Sequence, residues 1–413
     1  MKSVILHPTG NANVRAAAIG FKSANILSQF YTSIATFEGD WLDKLSAFSP
    51  LSELKRRRFD HSLRSMTSTW PWRETGRLIS GKAGYASLTK HESGLFCVDA
   101  VYHSIDKHVA AELKRAKKNG AEAVYAYEDG AAATFQQAKR LGLRCFYDLP
   151  IGYWKTGWRL LEAEANKWPD WAETLVGITD SKEKLDRKDQ ELMLADQIYV
   201  ASTFTAKTLG DFTGHLAPVE VIPYGYPDVT PGRKYPGHTR SRKLKLLFVG
   251  RLEQRKGIAN MFKAVAALGD YVELTVVGMK STNDCKALDT ALNQHKYISN
   301  LPHEDILKLM RESDVLLFPS LFEGFGLVIT ESMSQGTPVI TTERTAGPDL
   351  ISNDNNGWLT TAGETESLQA ALDYLLCNPA RIAANGKAAM ESARLRPWQV
   401  YGRELADSIL NNA

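Results

Sequence analysis

The fold is decided by residues 318–338, FPSLFEGFGLVITESMSQGTP. The preceding run at 314–319, DVLLFP, is short and apolar, as is typical of a buried strand. Residues 327–335 are long enough for a helix, which Gly336 and a following proline would end. The run VITT at 339–342 then predicts another strand. Strand, glycine-rich loop, helix and strand form one crossover unit of a parallel sheet, with the loop at the edge where such sheets bind ligands.

The loop has the chemistry of an anion-binding site. Gly324 and Gly326 carry no side chains at the point where the helix begins, so anionic oxygens can reach backbone N–H groups and the positive end of the helix dipole. Glu323 and Glu331 form an E-x7-E pattern, and this spacing of a little over two helical turns places them on one side. Two carboxylates flanking a phosphate cradle suit a nucleotide sugar. Two acids at this spacing, taken alone, are more often solvated charges on a helix face; the surrounding FPS, GFG and QGTPV favour the binding site.

A second strand–loop–helix unit opens the same half of the chain. In residues 244–268, LKLLFVGRLEQRKGIANMFKAVAAL, an apolar strand runs to Gly250, and Arg251 and Lys256 precede Gly257 at the start of an amphipathic helix. Two cations beside a helix N-terminus predict a diphosphate clamp, because arginine can bridge two oxygens and lysine adds a point charge. An exposed basic loop is the alternative, and the E-x7-E unit in the same half favours the clamp.

The first half also ends its predicted strands in polar residues. The loop after the first strand contains Gly10 and Asn11, for which a plain turn is the alternative. Glu128 and Asp129 lie at the end of the strand predicted in residues 123–130, AVYAYEDG, and Asp148 lies at the end of the next strand, within residues 144–154, RCFYDLPIGYW. Acids at strand ends lie at the edge of the sheet that binds ligands, so these residues are candidates for binding the acceptor of a transferred sugar. Helix capping is the alternative for each of them taken singly.

The length of 413 residues favours two domains. Proline, glycine and charge are dense in residues 227–242, PDVTPGRKYPGHTRSR, which predicts a linker. We predict a first domain at 1–230, a linker at 231–242, a second domain at 243–395 and a final amphipathic helix within 396–413.

Composition excludes several classes of protein. An apolar content of 44% and a charged content of 23% are ordinary for a globular protein, and a net charge of +3 is too small to indicate nucleic-acid binding. The N-terminal MKSVILHPTGN predicts a first strand rather than a signal peptide, and no apolar run approaches the roughly 20 residues that span a bilayer. Four scattered cysteines without metal-type spacing predict reduced thiols in the cytosol.

Residues 39–94 do not show the alternation of strands and helices that the rest of the chain has. A basic run at 55–58 precedes Trp70 and Trp72. Basic clusters beside aromatic residues can bind anionic membranes, and they also occur as solvated helix faces; both interpretations stay open. The sequence GRLISGKA at 76–83 has the spacing of a phosphate loop, but an alanine replaces the magnesium-binding Ser or Thr and no buried strand precedes it. We therefore reject a phosphate loop here.

Two long motifs carry a resemblance to a known family. FVGRLEQRKG, followed by SNLPHEDILKLMRESDVLLFPSLFEGFGLVITESMSQGTPVI, resembles the donor half of the retaining GT-B glycosyltransferases of glycosyltransferase family 4. The likeness covers nearly all of 244–365, and ADQIYVASTFTAKTL and VEVIPYG match the first half more loosely. It implies an α/β fold of the GT-B type, in which two Rossmann-like domains face each other across a cleft and a C-terminal helix crosses back to the first.

The resemblance also implies roles for individual residues. Arg251 and Lys256 would hold the donor diphosphate, and Glu323 would contact sugar hydroxyls. Many members have a histidine near the cleft where this chain has Asp148, which becomes the candidate for that position. Glu331 would bind the ribose diol, and the stretch from Asn300 to Pro302 would border the base. The donor-binding set implied in this way comprises Gly10, Asn11, Gly250, Asn300, Gly324, Phe325, Gly326, Leu327 and Glu331.

The expected reaction is transfer of a sugar from a nucleoside diphosphate to a hydroxyl of a saccharide or lipid-linked saccharide, with retention, in bacterial cell-surface polysaccharide synthesis. A D-x-D motif near a strand end is missing, which agrees with chemistry that needs no metal or other cofactor. We expect a cytoplasmic enzyme that can contact the inner face of the membrane. A nucleotide-sugar epimerase or hydrolase of the same fold, and a non-catalytic nucleotide-sugar binding protein, are the alternatives.

Overall fold

The computed structural model describes residues 1–40, 43, 54, 56–175, 180–235 and 242–412. The first domain is built on a seven-stranded parallel sheet with the order β3-β2-β1-β4-β5-β6-β7. Its strands are β1 (Ser3–Leu6), β2 (Leu27–Thr32), β3 (Thr67–Thr69), β4 (Ala123–Tyr127), β5 (Arg144–Leu149), β6 (Gln197–Val200) and β7 (Val219–Val221). The order changes direction between β1 and β4, and such a switch point leaves a crevice at the carboxyl ends of the strands.

The strands of the first sheet are connected largely by helices. These are α1 (Ala12–Ser23), α2 (Trp72–Lys82), α3 (Ala86–Thr89), α4 (Val98–Lys118), α5 (Ala132–Arg140), α6 (Trp154–Lys167), α7 (Lys182–Leu194) and α8 (Thr203–Thr208). Residues 76–83, which we rejected as a phosphate loop, lie mostly inside α2 and do not follow a strand directly. α4 begins at Val98, where the Cys97 thiol accepts a hydrogen bond of 3.3 Å from the N–H of Ala100 and caps the helix.

The second domain has a six-stranded parallel sheet with the order β10-β9-β8-β11-β12-β13. Its strands are β8 (Leu244–Val249), β9 (Val272–Val277), β10 (Lys296–Ile298), β11 (Val315–Phe318), β12 (Val339–Thr342) and β13 (Gly357–Thr360). β8 and β11 are adjacent, with Leu246 beside Val315 in the register. The loops that follow these two strands therefore leave the sheet side by side, and they are the two loops selected from the sequence.

The helices of the second half are α9 (Ile258–Leu268), α10 (Lys286–Leu292), α11 (His303–Glu312), α12 (Leu327–Ser334), α13 (Gly347–Leu350), α14 (Thr365–Cys377), α15 (Ala380–Leu395) and α16 (Trp398–Asn411). The helix predicted at 327–335 is α12, and Gly336 follows it with φ of +73°. The left-handed conformation ends the helix, which is why a glycine occurs there. Among the described residues, none of the helices has the length and apolar character to cross a membrane.

The C-terminal helix α16 packs on α1 of the first domain, as the sequence predicted. A Cβ atom on Gly20 would overlap the backbone of Gly402, so the two glycines let the helices touch closely. Farther along α16, the hydroxyls of Tyr199 and Ser408 are 3.0 Å apart. The helix therefore completes the core of a domain that lies far from it in sequence.

A segment from the first half of the chain packs on the second domain. We call residues 154–175 the strap; it consists of α6 and the 3-10 helix Pro169–Thr174. Trp171 is buried within the core of the second domain and stacks on Phe262, with ring centroids 5.8 Å apart and planes at 21°. The Thr174 hydroxyl also accepts a hydrogen bond of 2.9 Å from the N–H of Gln254. Each domain thus holds a segment of the other.

The described part of the predicted linker lies against the second domain. Arg233 donates to the carbonyl oxygen of Ser313 at 2.7 Å, and the Tyr235 hydroxyl donates to that of Gly336 at 2.9 Å. Residues 236–241 lie outside the described residues, and the exact domain boundaries stay a prediction.

Candidate active site

The glycine-rich loop between β11 and α12 presents an open helix N-terminus. Gly326 has φ of +88°, and a Cβ atom there would lie 2.7 Å from the Phe318 ring, so only glycine fits. Within the described residues, no acceptor is found for the N–H groups of Gly326, Leu327 and Val328. Unsatisfied N–H groups at the positive end of a helix are the ordinary protein site for a phosphate.

The same loop is where the two domains meet. A Cβ atom on Gly324 would overlap the carbonyl oxygen of Pro150 in the first domain. The carbonyl oxygen of Gly324 accepts hydrogen bonds from the hydroxyls of Ser202, at 2.5 Å, and Thr205, at 2.9 Å. Gly324 is therefore a contact between the domains as well as part of the loop.

The Phe325 side chain points to the first domain. Its ring packs on Tyr224 with centroids 4.9 Å apart, and Tyr224 accepts a hydrogen bond of 3.2 Å from the amide of Asn13 in α1. The predicted loop residues Gly10 and Asn11 directly precede α1: Gly10 lies against the Phe59 ring, and Asn11 is the exposed N-cap residue. One aromatic layer thus connects the glycine-rich loop to the N-terminus of α1.

The structure brings Lys256 and Glu323 together as a buried ion pair. Gly257, with φ of +69°, lies against the Pro319 carbonyl, which holds the loop after β8 beside the loop after β11. Arg255 joins the pair: its guanidinium lies 3.2 Å from the Glu323 carboxylate and donates to the Phe322 carbonyl at 2.8 Å. Arg255 was not among the predicted site residues, although it stands next to Lys256 in the QRK run of the same motif.

Burial alone would raise the pKa of Glu323, but the positive charges of Lys256 and Arg255 hold the pKa below its ordinary value. The carboxylate is therefore ionised at neutral pH. Arg251, which follows Gly250 at the end of β8, is different: it is exposed and has no ion pair or side-chain hydrogen bond with any described residue. The site therefore contains one exposed cation, Arg251, and two that pair with Glu323; Arg255 also pairs with Glu253, 2.6 Å away.

Glu331 lies on α12 and is largely enclosed, and burial raises its pKa, with the charge of His303 acting in the opposite direction. Among the described residues its carboxylate has no hydrogen-bond partner and no ion pair. His303 is the first residue of α11, and the exposed Asn300 lies in the loop just before it. Glu331 and the loop predicted to border a base therefore lie in one region.

Asp148 is in the interior of the first domain, with only 2% of its surface exposed. The Tyr125 hydroxyl donates to its carboxylate at 2.5 Å, and burial raises the pKa of Asp148 to about 7. Its charge also acts on Tyr224 and on Tyr401 of α16. The structure does not place this carboxyl group on the cavity wall, and the catalytic role expected for it stays a prediction.

A cavity of about 790 Å³ lies between the domains. The second domain contributes Arg251, Glu253, Arg255 and Phe322 to its wall, and the first domain contributes polar and aromatic side chains, among them His91, Trp154, Trp158, Asp180 and Lys188. Lys188 lies 3.4 Å from Glu128, one of the strand-end acids. Arg251, which is predicted to bind the donor, therefore lines the same cavity as Trp154 and Trp158 of the strap.

Comparison with known proteins agrees with this arrangement. Residues 236–391 match the family model described as glycosyl transferases group 1. The chain is 28% identical over 254 residues to the MMP alpha-(1->4)-mannosyltransferase of Mycolicibacterium hassiacum, covering 59% of this chain and 58% of that protein. It is 32% identical over 145 residues to the amylovoran biosynthesis glycosyltransferase AmsK of Erwinia amylovora, covering 31% and 35%. The matches thus span about a third to three fifths of these relatives.

Two solved structures have the same fold. Sucrose-phosphate synthase from Thermosynechococcus elongatus superposes with a TM-score of 0.64 at 16% identity, covering 100% of this chain and 99% of that one. Anabaena Alr3699/HepE in complex with UDP gives 0.62 at 16% identity, covering 100% of both chains. The expected GT-B fold is confirmed, and nearly all of the second domain lies within the match to the group 1 glycosyltransferase model.

Proposed function

We propose that this chain is a retaining glycosyltransferase of glycosyltransferase family 4, which transfers a sugar from a nucleoside diphosphate to a hydroxyl of a saccharide or lipid-linked saccharide. One observation carries the proposal. The loop that carries Glu323, paired with Lys256 and Arg255 where the domains meet, leads directly into the unsatisfied N–H groups at the start of α12, and Glu331 lies one turn farther along that helix. Donors for a diphosphate and acceptors for flanking hydroxyls are the complement of a nucleotide sugar.

Each part of the donor has a proposed position. The diphosphate would bind the N–H groups of Gly326 and Leu327, with Arg251 and Lys256 beside it. The ribose diol would donate to the carboxylate of Glu331, which lacks a described partner. The base would lie at the exposed loop from Asn300, and the transferred sugar would contact Glu323. UDP is the first nucleotide to test, because Anabaena Alr3699/HepE was crystallised with UDP.

The proposed chemistry is electrostatic. The bond between the anomeric carbon and the leaving phosphate oxygen breaks, the acceptor oxygen bonds the same carbon on the same face, and the acceptor proton passes to the departing phosphate. Negative charge grows on the diphosphate as it leaves, and preoriented cations and N–H groups stabilise that charge most strongly in the transition state. We propose that no metal takes part, since the sequence lacks a D-x-D motif near a strand end.

The acceptor would bind in the cavity between the domains, where Trp154 and Trp158 offer aromatic surface. The similarity to AmsK, an amylovoran biosynthesis glycosyltransferase, supports a role in bacterial cell-surface polysaccharide synthesis. We place the enzyme in the cytosol, because its four cysteines are all free thiols. We propose that it also contacts the inner face of the membrane, where a lipid-linked acceptor would be found.

The test is thermal unfolding in the presence of UDP, GDP, ADP, CMP and their common sugars. A ligand at 100 times Kd should stabilise the fold by about 2.7 kcal/mol. We expect one nucleoside diphosphate to stabilise the wild type and to lose this effect in Glu331→Ala, while Glu304→Ala, which removes an exposed acid from α11, keeps it. Failure of every nucleotide to shift the melting temperature would overturn the proposal.

Turnover assays separate the alternatives. A transferase consumes the donor only when an acceptor is added, whereas a hydrolase or epimerase converts the donor alone. A non-catalytic binding protein gives the thermal shift and no turnover with any acceptor.

A further inference from the structure

One helix from the first half of the chain lies along the cavity and contacts the loop that carries Glu323. This helix is α6 of the strap, and four of its residues at intervals of three and four line the cavity: Trp154, Gly157, Trp158 and Leu161. Such intervals place residues on one face of a helix. A Cβ atom on Gly157 would lie 3.0 Å from the ring of Phe322, the residue before Glu323. The face of α6 that lines the cavity therefore also packs on the loop after β11.

Glu164 extends the same face of α6 to the loop after β8. It follows Leu161 by three residues and is 7% exposed. Its carboxylate accepts a hydrogen bond of 3.2 Å from the side-chain amide of Gln254. Among the described residues this carboxylate has no ion-pair partner. Because a buried carboxylate is costly unless it is hydrogen-bonded, the amide of Gln254 is what stabilises Glu164 in this position.

Gln254 is fully buried and connects the loop after β8 in two directions. Its backbone N–H donates to the Thr174 hydroxyl at the far end of the strap, at 2.9 Å. Its side-chain oxygen accepts from the N–H of Ala259 at 2.9 Å, and its amide nitrogen also donates to the side-chain oxygen of Asn260 at 3.3 Å. The loop is thus fixed to the strap on one side and to the first turn of α9 on the other.

The position of Arg251 depends on this loop. Arg251 stands three residues before Gln254, lines the cavity, and has no side-chain bond with any described residue. Lys256 differs, because its ammonium group is paired with Glu323. A buried polar group whose bonds are all made fixes one arrangement of the chain around it. The contact between Glu164 and Gln254 therefore helps to hold the backbone from which Arg251 projects.

We propose that Glu164 and Gln254 are positioning residues for Arg251. Through this pair, α6 sets the cation that binds the donor diphosphate at a fixed distance from the acceptor side of the cavity, which the other end of the same helix forms. A displacement of about 1 Å is enough to cost a reaction about 10²-fold. The inference rests on the proposed function and adds that a segment of the acceptor half places the diphosphate clamp.

The test is calorimetric binding of UDP, GDP and ADP, each beside its monophosphate, to the wild type and to Glu164→Leu. Leucine accepts no hydrogen bond, while the Gln254 amide keeps its bonds to Ala259 and Asn260. We expect the Kd of the diphosphate that binds the wild type to rise about tenfold, and the Kd of its monophosphate to change far less. The melting temperature without nucleotide should stay close to that of the wild type, because an apolar side chain of similar volume replaces a buried carboxylate.

Three further variants separate positioning from a general effect on the fold. Glu164→Gln keeps an acceptor oxygen for Gln254 and should restore the ratio of the two Kd values. In Arg251→Ala, adding Glu164→Leu should weaken diphosphate binding little further, because the side chain that the pair positions is already absent. Glu162→Leu removes an exposed acid from the other side of α6 and is the matched control.

Four results would each overturn the positioning role while the wild type still binds its diphosphate. These are unchanged Kd values for Glu164→Leu, an equal loss for Glu164→Gln, equal weakening of diphosphate and monophosphate, and additive losses with Arg251→Ala. If none of the nucleotides binds the wild type, the proposed function fails and the positioning role fails with it.

Discussion

Lys256 and Glu323 form a buried ion pair, although one is predicted to bind the donor diphosphate and the other the sugar. In the absence of donor, each of the two charges is therefore neutralised by the other. In the proposed donor complex the diphosphate would give Lys256 and Arg255 a further anionic partner, and the Glu323 carboxylate would become available to accept from sugar hydroxyls. The two residues should therefore be coupled in stability and in ligand binding.

The coupling can be measured with a double-mutant cycle. Lys256→Met leaves Glu323 buried with only Arg255 to offset its charge, and should lower the free energy of unfolding by about 1–3 kcal/mol. Adding Glu323→Gln should recover most of this stability, because the unpaired charge is then gone, but not the nucleotide-induced thermal shift. Denaturant midpoints measure the first effect, and purely additive losses would contradict the pairing.

Arg251 should act on the reaction and hardly on stability. It is exposed and has no described partner, so Arg251→Ala should change the free energy of unfolding by no more than about 0.5 kcal/mol. Loss of one donor to the leaving group should lower kcat/KM by about 10²–10³. Arg403→Ala, an exposed arginine on α16, is the matched control, and a wild-type rate for Arg251→Ala would remove it from the proposed clamp.

Asp148 should make stability depend on pH. Its pKa is raised to about 7, so the native protein retains a proton that the unfolded chain releases above about pH 4. This residue therefore destabilises the fold increasingly as pH rises from about 4 to about 7, by up to about 4 kcal/mol, and adds no further change above that.

Asp148→Asn keeps an acceptor for the Tyr125 hydroxyl and removes the titration. Its free energy of unfolding should fall less between pH 4 and 7 than that of the wild type. Asp305→Asn, on exposed α11, should follow the wild-type curve. Parallel curves for Asp148→Asn and the wild type would show that the carboxyl group is not held protonated.

Gly324→Ala should force the domains apart. The new methyl group would meet the backbone of Pro150 and Ile151, which cannot turn aside as a flexible side chain could. We expect a loss of about 1–3 kcal/mol, a larger radius of gyration in small-angle X-ray scattering, and slower turnover. Gly210→Ala meets no atom within 4 Å and serves as the control. An unchanged radius would argue against this contact in solution.

Trp171 should stabilise the second domain although it belongs to the first half of the chain. Trp171→Ala empties a position between core side chains and should cost about 3–5 kcal/mol, seen in a calorimetric unfolding scan. Trp72→Ala removes the same side chain from an exposed position and should cost little. Similar effects of the two substitutions would contradict the packing of the strap.

Local patterns predicted the elements well. The helix expected at 327–335 is found at Leu327–Ser334, and the strand VITT at Val339–Thr342 matches. Apolar runs, glycines and prolines act within a few residues, so their effect can be seen in the sequence. That Lys256 and Glu323 lie at the same edge was also foreseeable, because the carboxyl ends of parallel strands share one edge of the sheet. Their direct pairing depends on β8 and β11 being neighbours, which only the structure shows.

Partners distant in sequence were beyond this reasoning. Asp148 was expected beside the cleft because it ends a strand, but its burial includes residues of α16, such as Tyr401, from the far end of the chain. The strap is helical, and nothing in the periodicity of its sequence tells which domain receives Trp171. Helical patterning identifies an apolar face and leaves its partner undetermined.

The strap and α16 make the two halves of the chain structurally inseparable. A cut between residues 235 and 242 would yield one fragment without α16, with the surface of α1 uncovered, and another without Trp171, with a gap beside Phe262. Neither fragment would contain its own complete core. A chimera with a relative, or an isolated domain, would therefore need to keep each segment with the domain on which it packs. The cuts would then lie around residues 153, 176 and 397 rather than in the linker alone.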